Sequence, residues 1–175
     1  MSVLSVFYPN ELQDSTYAID YQKMYDRGYR GVIYDIDNTL VPHGAPPDER
    51  AVKHFEKLRE TGIQFCLISN NKEPRVASFA EGIGGAFYVY DAHKPSRKAY
   101  MEAVAKMGLL KSQVFFVGDQ IFTDVYGARR AGLYSILVNP IHPKEEIQIV
   151  LKRFLEKIIL FFYKLEHGKT VSRNI

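Results

Sequence analysis

From Tyr29 onward the sequence alternates short apolar runs with longer amphipathic segments, and this alternation limits the fold more than any other feature. The segments between the runs have the length of helices, so successive runs are interpreted as parallel strands joined by right-handed crossovers. The pattern predicts an α/β fold, with a parallel sheet of about five strands and helices on both faces. The predicted strands are Gly31–Ile36, Gln64–Ile68, Phe87–Tyr90, Val114–Val117 and Tyr134–Val138.

Length and composition agree with one globular domain. The chain has 175 residues, 46% of them hydrophobic and 25% charged, which is typical of a folded protein and not of disorder. The formal net charge of +3 is too small to indicate a nucleic-acid partner, and none is predicted. The single cysteine, Cys66, lies in an apolar run, so we expect a buried thiol and a reducing cytoplasm. We expect neither a signal peptide nor a transmembrane helix, because charges interrupt every apolar run.

The chain is expected to have three parts. These are a lead-in with a short helix over residues 1–30, the α/β core over residues 31–143, and an amphipathic helix with a tail over residues 144–175. The short helix is predicted over Ile19–Arg27. Residues at a spacing of four share one face of a helix, which predicts a common packing face for Tyr17, Tyr21 and Tyr25.

Two carboxylates follow the first predicted strand at the point where it ends. Asp35 and Asp37 are two residues apart, so on an extended segment both side chains point the same way. They would converge outside the carboxyl edge of the sheet, where open parallel sheets bind ligands. Beside the hydroxyl of Thr39, two such acids suit Mg²⁺ and a phosphate. The alternative is a simple turn, since a lone pair of acids at this spacing is common.

Polar side chains also follow the next three predicted strands. Because parallel strands end at one edge of a sheet, a single crevice would collect all of these groups. Two of these groups, and Thr39 with them, also have an ordinary interpretation when each is taken alone. Lys94 could be a surface lysine, Asp124 could cap a helix, and the Thr39 hydroxyl could bond to loop backbone. We leave His43 and His93 unassigned as loop residues. The groups are Ser69-Asn70-Asn71 after the second strand, His93-Lys94-Pro95 after the third, and Gly118-Asp119 with Thr123-Asp124 after the fourth.

The acids in this set suit phosphoryl transfer, which needs a nucleophile, a metal and further donors. Asp35 is the candidate nucleophile, because a carboxylate can form an acyl phosphate. Asp37 is placed to protonate the leaving oxygen and then to activate water. The predicted metal set is Asp35, Asp37 and Asp119, with Mg²⁺ as the cofactor.

The remaining residues are predicted to hold the phosphate and to support the site. Ser69 and Asn70, with the adjacent backbone N–H groups, would hold phosphate oxygens. Lys94 would bring a positive charge to both the phosphate and the nucleophile. Asp124 would orient water or Lys94, and Thr39 would assist from the loop.

Four motifs therefore occur in a fixed order: Asp35-Ile-Asp37-Asn-Thr-Leu-Val, Ser69-Asn70, Lys94-Pro95, and Gly118-Asp119 with Thr123-Asp124. Over about Gly31 to Val138 the chain resembles the haloacid dehalogenase (HAD) superfamily of phosphatases. The resemblance implies a Rossmann-like fold with strand order 5-4-1-2-3, Mg²⁺ dependence and an aspartyl-phosphate intermediate. It also implies that Asp37 binds the metal through its backbone carbonyl, and an acid at that position favours a phosphatase over a dehalogenase.

Within that superfamily, the lead-in Ile19-Asp20-Tyr21, the segment Gly28–Gly31 and the chain length resemble the YqeG family of class IIIA phosphatases. That family is similar to mitochondrial-type phosphatidylglycerophosphate phosphatases, which makes phosphatidylglycerophosphate a candidate substrate. A receiver domain is the main structural rival, because it too gathers acids, a Thr and a Lys around Mg²⁺. Its phosphorylated aspartate follows the third strand, however, whereas Asp35 follows the first.

The spacing between the motifs bears on the substrate. HAD phosphatases that act on small metabolites usually carry a cap domain, and the segments Val41–Asp48 and Asn71–Lys94 are too short to hold one. An open site resembles capless members that act on bulky substrates or use a neighbouring subunit as a lid. Two alternatives stay open: a small-metabolite phosphatase capped within a homo-oligomer, and a non-catalytic binding protein on the same scaffold.

An amphipathic helix is predicted over Glu145–Glu166. Three interpretations stay open: it packs on the domain, forms a homodimer contact, or lies peripherally on the inner face of an anionic membrane. The apolar stripe consists of Ile147, Leu151, Phe154, Ile158, Phe161 and Leu165, widened by Val150, Leu155, Ile159 and Phe162. The basic residues beside it are Lys152, Arg153, Lys157 and Lys164.

Overall fold

The computed structural model describes residues 3–142 and 147–167 and contains one sheet of six strands. The strands are β1 (Glu11–Gln13), β2 (Gly31–Tyr34), β3 (Gln64–Ile68), β4 (Phe87–Val89), β5 (Val114–Gly118) and β6 (Tyr134–Val138). Their order is β1-β6-β5-β2-β3-β4, and every neighbouring pair is parallel. The α/β architecture is confirmed, and the five expected strands lie in the expected order.

The sixth strand corrects the expected strand count. β1 lies in the lead-in and pairs with β6 at one edge of the sheet. It is only three residues long, which is too short for an alternating pattern to be visible in the sequence.

Helices cover both faces of the sheet, because successive residues of a strand point to opposite faces. On β2, Val32 and Tyr34 join one hydrophobic core, whereas Ile33 joins a second core on the opposite face. Cys66 on β3 is buried as expected, and burial raises the pKa of its thiol to about 12. The helices are α1 (Tyr21–Asp26), α2 (Glu49–Thr61), α3 (Glu73–Gly82), α4 (Arg97–Lys106), α5 (Tyr126–Ala131) and α6 (Ile147–His167).

The expected common helix face of three tyrosines is wrong for Tyr17. Helix α1 begins only at Tyr21, because Asp20 caps it by accepting a hydrogen bond from the backbone N–H of Lys23 at 2.9 Å. Tyr17 lies in a separate 3₁₀ turn over Thr16–Ala18. The tyrosine spacing therefore does not mark one helix.

Neither predicted insertion point holds a cap domain. A short loop connects Val41 to Asp48, and the chain between Asn71 and Lys94 contains only α3, β4 and short loops. Both segments lie within the described residues. The carboxyl edge of the sheet is thus not covered by an inserted domain.

Helix α6 packs on the domain through one edge of the predicted stripe, Ile159, and through Tyr163, which the prediction did not include. Ile159 and Tyr163 are buried in a cluster with Ile121 and Val125. The predicted stripe is instead exposed at Phe154, Ile158, Phe161 and Leu165. The predicted start of the helix near Lys144 lies outside the described residues, as do the side chains of residues 147–153. None of the described helices is both long and apolar enough to cross a membrane.

Candidate active site

Three carboxylates meet in the interior at the carboxyl edge of the sheet. Asp35 follows β2, Asp119 follows β5, and Asp124 lies in the π-helical turn Ile121–Val125 that precedes α5. All three are buried, and each offers an oxygen within 4.8 Å of those of the other two. The convergence of strand-end groups expected from the sequence is therefore present for these acids.

Lys94 joins this cluster from the loop after β4. Its ammonium donates to Asp35 and, at 2.8 Å, to Oδ1 of Asp124. Burial opposes the charged form of Lys94, but the carboxylates of Asp124 and Asp35 outweigh it and raise the pKa of the lysine well above its usual value. Lys94 is therefore an ammonium ion in the site and not a surface lysine.

The cluster holds more negative charge than Lys94 can offset. Burial raises the pKa of Asp35, the Asp124 and Asp119 carboxylates raise it further, and Lys94 opposes both effects. Three clustered carboxylates facing one ammonium group form an oxygen-rich, electron-rich site that suits a hard divalent cation. The donor set thus fits a metal.

Thr39 and Gly118 shape the cluster. The Thr39 hydroxyl lies 3.3 Å from Oδ2 of Asp35 and 3.2 Å from Oδ1 of Asp119, and it can donate its single proton to one of them at a time. A Cβ atom at Gly118 would lie 2.6 Å from Oδ2 of Asp124. Glycine is needed there because the strand end and the Asp124 side chain approach each other so closely.

The Asp37 carboxylate lies outside this cluster. Its oxygens accept hydrogen bonds from Nδ2 of Asn71 at 2.6 Å, from the backbone N–H of Gly44 at 2.8 Å and from Nη2 of Arg75 at 3.2 Å. The two acids at a spacing of two do not converge on one point through their side chains. The family resemblance implies that Asp37 contacts the metal through its backbone carbonyl, and this contact does not require the two carboxylates to converge.

Ser69 and Asn70 lie at the end of β3, where the sequence places them. Ser69 is buried, and its hydroxyl accepts the backbone N–H of Asn71 at 3.1 Å. Oδ1 of Asn70 accepts the backbone N–H of Lys94 at 2.7 Å. The Asn70 side chain therefore holds the loop that carries Lys94.

Two contacts at the site were missed by the sequence analysis. Arg75 lies in the first turn of α3 and Asn71 lies in the loop before it, and both side chains reach the same acid, Asp37, without a sequence pattern that marks the contact. Glu156 is buried on α6, and its Oε1 accepts the backbone N–H of Ile121 at 2.7 Å. An acid beside the apolar residues of a predicted helix was the only hint of that contact.

Comparisons with known proteins found chains similar to this one in sequence and in fold. A model of the HAD-hydrolase-like family matches residues 92–147. The chain is 38% identical over 155 residues to "Probable phosphatase YqeG" of Bacillus subtilis, over 88% of this chain and 90% of that protein. It is 28% identical over 162 residues to "Phosphatidylglycerophosphate phosphatase 1, chloroplastic/mitochondrial" of Arabidopsis thaliana, over 79% of this chain but only 45% of that protein. In fold, it is similar to a HAD-superfamily hydrolase from Ehrlichia chaffeensis, with a TM-score of 0.54 and 16% identity over 75% of this chain and 98% of that one.

Proposed function

The chain belongs to the HAD-like phosphatase family, and on that premise we propose that it is a Mg²⁺-dependent phosphomonoesterase that uses Asp35 as its nucleophile in an open, capless site. The observation that carries the proposal is the buried contact of Lys94 with both Asp35 and Asp124. A buried ammonium held between two acids at a sheet edge is costly to maintain for stability alone. It is well suited to hold a carboxylate against an incoming phosphate.

In this mechanism an oxygen of Asp35 attacks phosphorus, and the bond from phosphorus to the ester oxygen breaks. Asp37 gives its proton to the departing oxygen and, once deprotonated, takes a proton from the water that hydrolyses the aspartyl phosphate. Lys94 offsets the charge on Asp35 and on the phosphoryl oxygens. The Ser69 hydroxyl donates to one of those oxygens. A bound Mg²⁺, held by Asp35, Asp119 and the Asp37 carbonyl, would supply further charge neutralisation.

The acid–base role requires Asp37 to leave its partners and to take up a proton. Its carboxylate is held by Arg75 and Asn71. We propose that a bound phosphate competes for Arg75 and releases the carboxylate, which takes a proton from solvent and then gives that proton to the leaving oxygen. Arg75 is suited to this exchange because a guanidinium binds carboxylates and phosphates with similar geometry.

The open site favours a bulky substrate. No inserted domain covers the described part of the sheet edge, and a relative that matches 79% of this chain is named a phosphatidylglycerophosphate phosphatase. We propose that the chain belongs to the class IIIA group of HAD phosphatases. We also propose that its substrate is a lipid phosphomonoester, such as phosphatidylglycerophosphate. The alternative is a small phosphorylated metabolite with a second subunit as the lid.

A lipid substrate agrees with the outer face of α6, which we propose as a peripheral contact with an anionic membrane surface. Exposed apolar side chains line this face in the described part of the helix: Phe154, Leu155, Ile158, Phe161, Phe162 and Leu165. Of the two acids in the described part of the helix, Glu156 is buried, whereas Glu166 is exposed and accepts the Tyr8 hydroxyl at 3.1 Å. Lys157 and Lys164 remain beside the apolar face. Two copies packed through it would bring like charges together, whereas anionic headgroups would complement them.

The proposed activity is tested with p-nitrophenyl phosphate. We expect turnover with Mg²⁺, loss of turnover with a chelator, and recovery when Mg²⁺ is restored, because the acid cluster alone leaves excess negative charge facing the phosphate. Phosphatidylglycerophosphate in detergent micelles should then be hydrolysed with a higher kcat/KM than glycerol phosphate. Absence of turnover with Mg²⁺ on every phosphomonoester tried would contradict the function, and a preference for the small substrate would favour the capped alternative.

Membrane contact is tested by sedimentation with vesicles. We expect the protein to sediment with phosphatidylglycerol-containing vesicles, to bind less at high salt, and to bind pure phosphatidylcholine vesicles weakly. A variant with Phe154→Gln and Phe161→Gln should lose this binding, because both side chains are exposed on the proposed face.

The matched control is Leu110→Gln, which removes a side chain that is 69% exposed elsewhere on the surface and should leave vesicle binding unchanged. Equal binding to both vesicle types would contradict the contribution of the basic residues. A wild-type dimer in solution that the double phenylalanine variant converts to a monomer would show instead that a second copy covers α6.

A further inference from the structure

The 3₁₀ turn Thr16–Ala18 contacts the loop that follows β2 through two hydrogen bonds. The hydroxyl of Thr16 donates to the carbonyl of Thr39 at 2.9 Å, and the hydroxyl of Tyr17 donates to the carbonyl of Leu40 at 2.5 Å. Two consecutive residues of the lead-in thus hold two consecutive carbonyls of the candidate catalytic loop. Thr16 is fully buried, so no water replaces its bond from outside.

The turn is itself fixed from its other side. The Tyr21 hydroxyl donates to the carbonyl of Thr16 at 2.9 Å. The ring of Tyr17 contacts the His54 ring at a centroid distance of 5.2 Å, and the guanidinium of Arg50 lies 3.9 Å from the Tyr17 centroid. Burial raises the pKa of Tyr17 to about 12, so its hydroxyl keeps its proton and remains a donor. The lead-in therefore presents two donors from a rigid support.

Thr39 connects this support to the acid cluster. Its carbonyl accepts from Thr16, while its hydroxyl reaches both Asp35 and Asp119. A displacement of the Thr39 backbone would carry the hydroxyl away from the two acids. The lead-in thus acts on the carboxylates through one residue, Thr39.

We propose that Thr16 and Tyr17 are positioning residues that set the affinity of the acid cluster for its divalent cation by fixing the backbone of Thr39 and Leu40. The inference rests on the proposed function, since it concerns the same metal site. Partners that orient metal ligands typically change metal affinity about 10- to 100-fold when they are removed. The lead-in would then be part of the catalytic apparatus and not only a strand added to the sheet edge.

The test compares Thr16→Val with Thr16→Ser. Valine keeps the volume of threonine but removes the donor, whereas serine keeps the hydroxyl. We expect Thr16→Val to weaken Mg²⁺ binding about tenfold. The readouts are the Mg²⁺ dependence of the melting temperature and the Mg²⁺ concentration that gives half-maximal turnover. Thr16→Ser should restore both, and Tyr17→Phe should shift them in the same direction as Thr16→Val.

A matched control separates positioning from stability. Thr61→Val removes a hydroxyl that donates to the carbonyl of Leu58 at 2.8 Å, which is the same kind of bond at the end of α2. We expect this variant to lower the melting temperature without changing the Mg²⁺ dependence. A double variant adds a second check: in a Thr39→Val background the effect of Thr16→Val on Mg²⁺ should disappear, because the hydroxyl that it positions is gone.

The outcomes distinguish this inference from the proposed function. If Thr16→Val lowers the melting temperature but leaves the Mg²⁺ dependence of the wild type, the turn is structural only and the inference is overturned. If Thr16→Val does not fold, Tyr17→Phe decides, because it keeps the ring and removes only the hydroxyl. Wild-type protein that neither binds Mg²⁺ nor needs it for turnover would overturn both proposals together.

Discussion

Replacing Asp35 with asparagine is expected to abolish phosphatase turnover while the fold stays intact. An amide can neither attack phosphorus nor hold a cation as a carboxylate does, so kcat/KM should fall by several orders of magnitude. The side chain keeps its volume, and Lys94 keeps its partner Asp124, so the buried ammonium is not left alone. Turnover of p-nitrophenyl phosphate and the far-ultraviolet circular dichroism spectrum measure the two parts of the prediction.

The control for this variant is Asp26→Asn. Asp26 is an exposed acid of α1 that accepts a hydrogen bond from Gln22 at 3.0 Å, far from the acid cluster in the chain. The same chemical change there should leave turnover at the wild-type level. An Asp35→Asn enzyme that works within about tenfold of wild type would remove Asp35 as the nucleophile.

Replacing Asp37 with asparagine is expected to slow turnover and to let phosphoenzyme accumulate on an activated substrate. The p-nitrophenolate group leaves with little protonation, whereas hydrolysis of the aspartyl phosphate still needs a base. Loss of a general acid–base group typically costs about 10²- to 10⁴-fold in rate, and the loss should be larger for an alkyl phosphate. Rapid acid quench followed by mass measurement of the intact protein detects the added phosphoryl group.

Arg75→Gln is the informative companion to this variant. It removes the cation that pairs with Asp37 and that is proposed to bind the phosphate, but it keeps the acid. It should therefore raise KM, leave kcat largely unchanged and show no build-up of phosphoenzyme. If Asp37→Asn has unchanged steady-state kinetics, or if both variants accumulate phosphoenzyme equally, the acid–base role does not belong to Asp37.

The sequence allowed the sheet and the acid cluster to be predicted for one physical reason. Buried parallel strands are continuous apolar runs, and the residues that follow them must lie at one edge of the sheet. Asp35 and Asp119 directly follow such runs, and Lys94 and Asp124 lie in the short segments after two of them. Their approach therefore depends on the order of the strands more than on details of packing.

The sequence was less informative where a contact joins segments without a periodic signal. The spacing of Asp35 and Asp37 predicted parallel side chains, but β2 ends at Tyr34, so both acids lie beyond the extended strand on which that expectation depends. Asp37 consequently reaches Arg75 and Asn71, which belong to a later part of the chain.

What the sequence by itself determined is thus the architecture and the approach of strand-end side chains at one edge of the sheet, because apolar periodicity and parallel topology dictate both. Only the tertiary structure decided the partners of Asp37, the support of Thr39 by Thr16, and the use of Glu156 on α6. Each of these rests on at least one directional hydrogen bond between distant segments. Its formation depends on how the packed elements orient one donor and one acceptor within about 3 Å, and no local pattern of residues records that orientation.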